Sequence, residues 1–195
     1  NADYVNYYGF LDFDSFNRAN FPSRGFKLSA MGRIIAKHEN LQRFFEPSSV
    51  VDLHYSQVVP ILKKLTLIGR VYGATTIGPN PDYPYNIFLG SLGRNYINYI
   101  YPFIGYRYME LIGRNTLVLR GDLHLEFVKD NYILLRGNVG KLESSFDDLF
   151  GSDVVLDGYS LGYSYDSPFG PLEVNVMGST NHSDIYTYIS LGFWF

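Results

Sequence analysis

Asp184-Ile185-Tyr186-Thr187-Tyr188-Ile189-Ser190-Leu191-Gly192-Phe193-Trp194-Phe195 is the stretch on which the reading of this chain turns. Counting back from Phe195, every second residue is Phe193, Leu191, Ile189, Thr187 and Ile185. The residues between them are Trp194, Gly192, Ser190, Tyr188 and Tyr186. One face is apolar and the other is small, hydroxylated or aromatic, which is the two-residue period of a β-strand. Free termini of soluble domains usually fray in water. A final strand ending in Phe193, Trp194 and Phe195, with Ile189 and Leu191 on its apolar face, instead suits the closure of a transmembrane β-barrel.

Composition agrees. The 195 residues suffice for one domain, read as residues 1–195. A net charge of -3 supplies no basic excess, so nucleic acid is not an expected partner. Charged residues are only 18% and aromatics reach 17%, dominated by Tyr and Phe. These rings favour strands and also form the girdles where a barrel meets lipid headgroups. There is no cysteine, which excludes disulfides and thiolate metal sites. No run of eighteen apolar residues exists, so no transmembrane helix is predicted, but barrel strands are only half apolar and escape that test. Asn1-Ala2-Asp3 lacks the basic start and apolar stretch of a signal peptide, so the sequence reads as a mature form or part of something longer.

Alternation recurs along the chain. Strands are predicted at about Tyr4 to Phe16 and Phe26 to Lys37, the latter preferred over a helix from Ala30 to Phe45. Others run through Val51, Leu53 and Tyr55 and through Leu65, Leu67 and Val71. A proline-rich loop follows at Gly78 to Pro84, then an ambiguous Tyr85–Tyr101 region with room for one strand. Asn115 to Phe127 is the clearest internal strand. Leu117, Leu119, Gly121, Leu123, Leu125 and Phe127 share one face, and Thr116, Arg120, Asp122, His124 and Glu126 the other. Further strands are predicted at Tyr132 to Lys141, around Tyr159 to Tyr165, around Leu172 to Val176, and at the terminus. The fold class is all-β, an antiparallel transmembrane barrel with about ten strands of roughly 10–13 residues, where a tilted spanning strand needs about 9–11. Short turns at one end and longer loops at the other fit that architecture.

Alternation alone does not say which face meets water. In a soluble, core-filled barrel the charged faces point outward. In a membrane barrel Arg120, Asp122, His124 and Glu126 point into a wet, charge-paired lumen. Strand length, aromatic content and the terminal strand favour the membrane; a soluble ligand-binding β-barrel is the alternative from another class.

Candidate chemistry is sparse. Gly158-Tyr159-Ser160-Leu161-Gly162 matches the G-x-S-x-G nucleophile elbow, which needs a strand, a sharp turn and a helix. Here alternation continues through Tyr163 to Asp166, so Ser160 reads as a small lumen residue and the match as fortuitous. The series Ser160, Asp166, His182 weakens with it, since His182 falls in a turn. Asp52 with His54, or His124 with Asp122 and Glu126, offer potential metal ligands, but residues i and i+2 on one strand stand about 7 Å apart. A lumen charge network is the preferred reading. No metal, no cofactor and no enzyme activity are expected of this chain.

Several motifs resemble the Omp85 superfamily, the barrels also labelled bacterial surface antigen. Phe21-Pro22-Ser23-Arg24-Gly25 after Phe13-Asp14-Ser15-Phe16-Asn17-Arg18 is similar to a family hairpin. Ser167-Pro168-Phe169-Gly170-Pro171-Leu172 is similar to the late hairpin, and Ile189 to Phe195 to the last strand. Gly105-Tyr106-Arg107-Tyr108-Met109-Glu110-Leu111 resembles the inward-folded loop, whose Arg-Gly-[FY] core here lacks the Gly. The resemblance implies that Arg107 joins the lumen charges and that its acidic partner falls at Asn138-Val139-Gly140, where Asn replaces Asp. It also implies an outer-membrane location in a Gram-negative bacterium, with outer-membrane lipid and, through the C-terminal strand, the barrel-assembly machinery as partners; homo-oligomerisation is left open. The nearest likeness is to C-terminal barrels of Bacteroidota patatin-like phospholipases. That implies an anchor, and a route of export, for an N-terminal lipase domain. The family barrel has about sixteen strands, so the chain would be its C-terminal part or a shortened relative. An Omp85-type assembly or translocation barrel is the alternative implied by the same likeness.

Overall fold

The computed structural model of the chain describes residues 3–38, 47–79, 85–92, 100–151 and 153–192. Its elements in order are β1 (Asp3–Asp14), β2 (Gly25–His38), β3 (Ser48–Leu62), β4 (Leu65–Ile77), β5 (Ile87–Leu89), β6 (Ile100–Tyr101), β7 (Leu111–Gly113), β8 (Asn115–Val128), β9 (Asn131–Glu143), α1 (Asp148–Gly151), β10 (Leu156–Ser167), β11 (Gly170–Gly178) and β12 (Ile185–Leu191). Nine of the strands form one sheet in the order β1-β2-β3-β4-β8-β9-β10-β11-β12, and every neighbouring pair is antiparallel. The all-β antiparallel reading is therefore met. The strand count differs slightly from the expected ten. Among the described residues β1 and β12 each pair on one side only, so closure into a barrel is not seen there. Phe26 to Lys37 is strand, not helix.

The connections sort by length. Lys63-Lys64, Lys129-Asp130 and Pro168-Phe169 are two-residue turns, and with the longer 15–24 connection they define a turn end. The strand ends at His38, Ser48, Ile77, Asn115, Glu143, Leu156, Gly178 and Ile185 lie at the opposite, loop end. The Tyr85–Tyr101 ambiguity resolves into β5 and β6, which with β7 make a separate sheet ordered β6-β5-β7. The 144–155 connection carries the single turn of α1.

Exposure is inverted relative to a water-soluble sandwich. Leu53, Leu119, Leu135, Leu161, Val176, Ile189 and Leu191 all lie on one face of the sheet and are exposed, Leu161 at 60% and Leu191 at 72%. On the other face Asp52, Thr116, Asp122, Arg136, Asn138, Ser160, Ser164 and Asn175 are buried. Burying a Leu side chain is worth roughly 1.5–3 kcal/mol. A wall of this size facing water would forgo on the order of tens of kcal/mol by the same measure. Facing lipid, it forgoes nothing, and the antiparallel ladders satisfy the backbone between strands. Near the turn end this outer face carries rings on five strands: Phe13, Phe26, Tyr55, Phe127, Tyr163 and Tyr165. Phe13 stacks on Phe26 with centroids 5.2 Å apart. This is the aromatic girdle of a membrane interface.

Candidate functional site: a plugged and charged lumen

Residues 85–92 and 100–113 pack as a plug against the inner face of the sheet and leave a cavity of about 690 Å³ beside Tyr8, Asp12, Lys27 and Arg120. Ile87, Phe88, Leu89, Phe103 and Ile104 are fully buried although they belong to a connection. Ile87, Leu89, Tyr101, Phe103 and Tyr106 share a core with Tyr72, Ala74 and Val118 of β4 and β8. The plug reaches both margins of the sheet. Tyr85 packs at a 45° tilt against Tyr4 of β1, with centroids 4.9 Å apart. Leu92 and Ile104 pack with Met177, Tyr186 and Tyr188 of β11 and β12. Polar contacts fix it in place. Tyr72 Oη donates to the Pro102 carbonyl, and Asn138 Oδ1 accepts the Ile104 N–H at 2.7 Å. His182 Nε2 lies 2.8 Å from the Gly105 carbonyl.

Beneath the plug runs a belt of charge. Arg70 and Arg120 sit directly opposite each other on β4 and β8. Like charges so placed repel. Asp122, 1% exposed, offsets this by pairing with both: Arg120 Nε donates to its Oδ1 at 2.8 Å and Nη2 to its Oδ2 at 3.3 Å, and Arg70 Nη1 meets Oδ2. Arg136 Nε stands 4.0 Å from the same carboxylate, while its Nη1 donates at 2.7 Å to both Glu173 Oε1 and Asn175 Oδ1. Three guanidiniums thus share two carboxylates across β4, β8, β9 and β11.

The predicted residues distribute unevenly over this site. Arg120 and Asp122 are its centre. His124 shares their face but turns its ring edge to Phe21, with centroids 5.7 Å apart. Glu126 lies at the turn end, where the ladder slips by one residue, and accepts the Asp130 N–H at 3.2 Å. Arg107 lies outside the belt. It is exposed, with its guanidinium 5.1 Å from the Tyr186 ring centroid. The physical reason lies at Asn138: an amide there holds plug backbone by a hydrogen bond and offers Arg107 no charge. Ile189 and Leu191 lie on the outer face, and Phe193, Trp194 and Phe195 fall outside the described residues. Arg70, Arg136 and Glu173 escaped the sequence reading.

The G-x-S-x-G match has a packing explanation. The middle of the inner face of β10 is Gly158, Ser160, Gly162 and Ser164, all small. A Cβ on Gly158 would strike the Ile104 carbonyl of the plug, and one on Gly162 would strike Asn175 Oδ1. The low row lets the plug descend and lets Arg136 of β9 reach across to Glu173 and Asn175 of β11. Asp166 lies at the turn end and His182 at the loop end, so neither is brought to Ser160. Asp52 and His54 do meet, at 3.6 Å, but His54 packs in a three-ring cluster with Tyr72 and Tyr101, at 5.5 and 5.3 Å, as part of the plug seat. Among the described residues no group of three or more potential metal ligands converges.

A family model described as the OMP85 superfamily matches residues 1–195. No curated protein matches the chain. The match spans the nine-stranded antiparallel sheet and the plug, and this chain belongs to the OMP85 superfamily.

Proposed function

We propose that the chain is the membrane-embedded anchor and conduit of a Gram-negative outer-membrane protein, and that it holds, and passes to the cell surface, an N-terminal patatin-like phospholipase domain. Lipid hydrolysis belongs to that domain, and the strands described here do no chemistry. The observation that carries the membrane reading is the inverted exposure of the sheet, with Leu119, Leu161 and Leu191 outside and Asp122, Arg136 and Asn175 inside. The phospholipase link rests on the sequence likeness around residues 106–115. Outer-membrane lipid is the partner of the outer face, and the assembly machinery the partner of β12.

One observation favours a second reading, a barrel that inserts or translocates other proteins through a loose seam. Gly192, which follows β12, has φ +116° and breaks the strand near the edge of the sheet. Two experiments separate the readings. Cell fractionation with carbonate and urea washes tests the membrane: a protein that is monodisperse in water without detergent sinks both readings and leaves the soluble barrel. The parent reading frame tests the role. A patatin domain upstream supports anchoring, and several POTRA repeats without a lipase support assembly.

A further inference from the structure

Three of the four connections at the turn end are two residues long, and the fourth, residues 15–24 between β1 and β2, is different in kind. It is internally braced. Asn17 Oδ1 accepts the N–H groups of Ser23 and Arg24 at 3.0 and 3.1 Å, and Asn17 N donates to the Arg24 carbonyl at 3.3 Å. Ser15 Oγ accepts the Phe26 N–H at 2.9 Å. The braced loop projects Phe21, a non-glycine residue at φ +45°, onto the inner face of strands far along the sheet. Phe21 stacks on Tyr132 of β9 at 4.0 Å and 7° between planes, and meets the His124 ring of β8 edge-on. Asn20 Nδ2 reaches Asp166 Oδ1 of β10 at 3.5 Å. Pro22 is buried. The first hairpin is thereby tied, across the concave side, to the fifth, sixth and seventh strands of the sheet. His124 and Tyr132, both inner-face residues, are left 7% and 5% exposed.

We propose that the 15–24 loop is a latch that closes the turn-end mouth of the lumen, and that passage through the lumen requires its release. This rests on the reading of the sheet as a membrane barrel wall. The plug blocks the loop end and the latch blocks the turn end, with the Arg70–Asp122–Arg136 belt between them. The two closures share no residue, so they open independently. The latch is held by the Phe21 ring against Tyr132 and His124 and by the Asn20–Asp166 contact, not by a sheet ladder, which suits an element that must swing away. An aromatic stack is worth about two- to tenfold in a two-state population, so Phe21→Ala shifts the latch toward open by a factor in that range.

The test uses the protein reconstituted in lipid bilayers, with heat-modifiable migration as the check on folding. Two readouts are compared for the wild type, for Phe21→Ala, and for an Asn20→Cys/Asp166→Cys pair bridged by a short bis-maleimide, a pairing that the cysteine-free chain makes unambiguous. The first is the rate of His124 modification by diethylpyrocarbonate, read by mass spectrometry; the second is the frequency of single-channel openings. Expected are about two- to tenfold faster His124 modification and more frequent openings in Phe21→Ala, and protection of His124 with loss of openings in the bridged pair. Folded, inserted Phe21→Ala with unchanged His124 reactivity, or a bridged pair that opens as often as the wild type, overturns the latch alone. A wild-type protein that does not enter lipid overturns the membrane reading, and the latch with it.

Discussion

Asp122 is the residue on which the lumen belt depends most, and its removal has a calculable consequence. In the Asp122→Ala protein, Arg70 and Arg120 still face each other across the β4–β8 ladder, but the carboxylate that both address is gone. The belt passes from three guanidiniums against two carboxylates to three against one. Asp122 is 1% exposed, and the side chains of Arg120 and Arg136 are 8% and 7% exposed, so water reaches these charges poorly. Arg70, at 28%, recovers part of its hydration. Breaking a buried pair by removing one partner costs about 3–5 kcal/mol. With a urea dependence of about 2–3 kcal/mol per molar, the unfolding midpoint in detergent micelles falls by about 1–2 M. The measurement is urea unfolding followed by far-ultraviolet circular dichroism and by heat-modifiable migration. A second variant isolates the cause. Arg120→Met with Asp122→Leu replaces the central pair by apolar side chains and restores much of the loss, because a buried pair removed whole is close to neutral. If Asp122→Ala shifts the midpoint by less than about 0.3 M, which is under 1 kcal/mol, the belt does not brace the wall and the reasoning is refuted.

Three further outcomes are expected. Leu161→Arg, on the exposed face of β10, destabilises the protein by about 2–4 kcal/mol if that face lies in the bilayer, whereas a water-facing site would lose under about 0.5 kcal/mol; equilibrium unfolding in phospholipid vesicles tells the two apart. Gly158→Val drives a side chain into the Ile104 carbonyl and costs about 1–3 kcal/mol, seen as faster amide hydrogen exchange at residues 100–106 while β8 and β9 stay protected. Ser160→Ala leaves any lipase activity of the parent protein unchanged, since Ser160 is 1% exposed and neither Asp166 nor His182 approaches it; a loss of activity in hydrolysis of a fluorogenic ester would reinstate the nucleophile.

What was legible in the sequence is what a two-residue period encodes. Leu117 to Phe127 announces β8 because each side chain meets one uniform environment, lipid or lumen, and the turns at Lys129-Asp130 and Pro168-Phe169 announce themselves by length. The plug was not legible. Ile87-Phe88-Leu89 is buried on all sides, inside a lumen that other strands supply, so no alternation survives to be read. The belt was half legible. Arg120 and Asp122 declare themselves on one strand, but Arg70, Arg136 and Glu173 join them through register, which depends on pairings far apart in sequence. One signal for that half was present: the run Gly158, Ser160, Gly162, Ser164 keeps one face of β10 low, and a low row beneath charged neighbours invites them to meet over it. The same run produced the misleading likeness to a nucleophile elbow. Arg107 was misplaced because its expected partner position, Asn138, carries an amide committed to the plug backbone.

The order of the sheet also carries a constraint of parity. Nine strands that alternate in direction leave β1 and β12 pointing the same way. Brought edge to edge they would meet as a parallel pair, with slanted and slightly weaker hydrogen bonds than any other seam in the wall. An all-antiparallel ring built on this sheet interposes an odd number of strands between them, whether from the same polypeptide or another. Lipid demands one closure or the other, because an unbonded strand edge in hydrocarbon costs several kcal/mol per group.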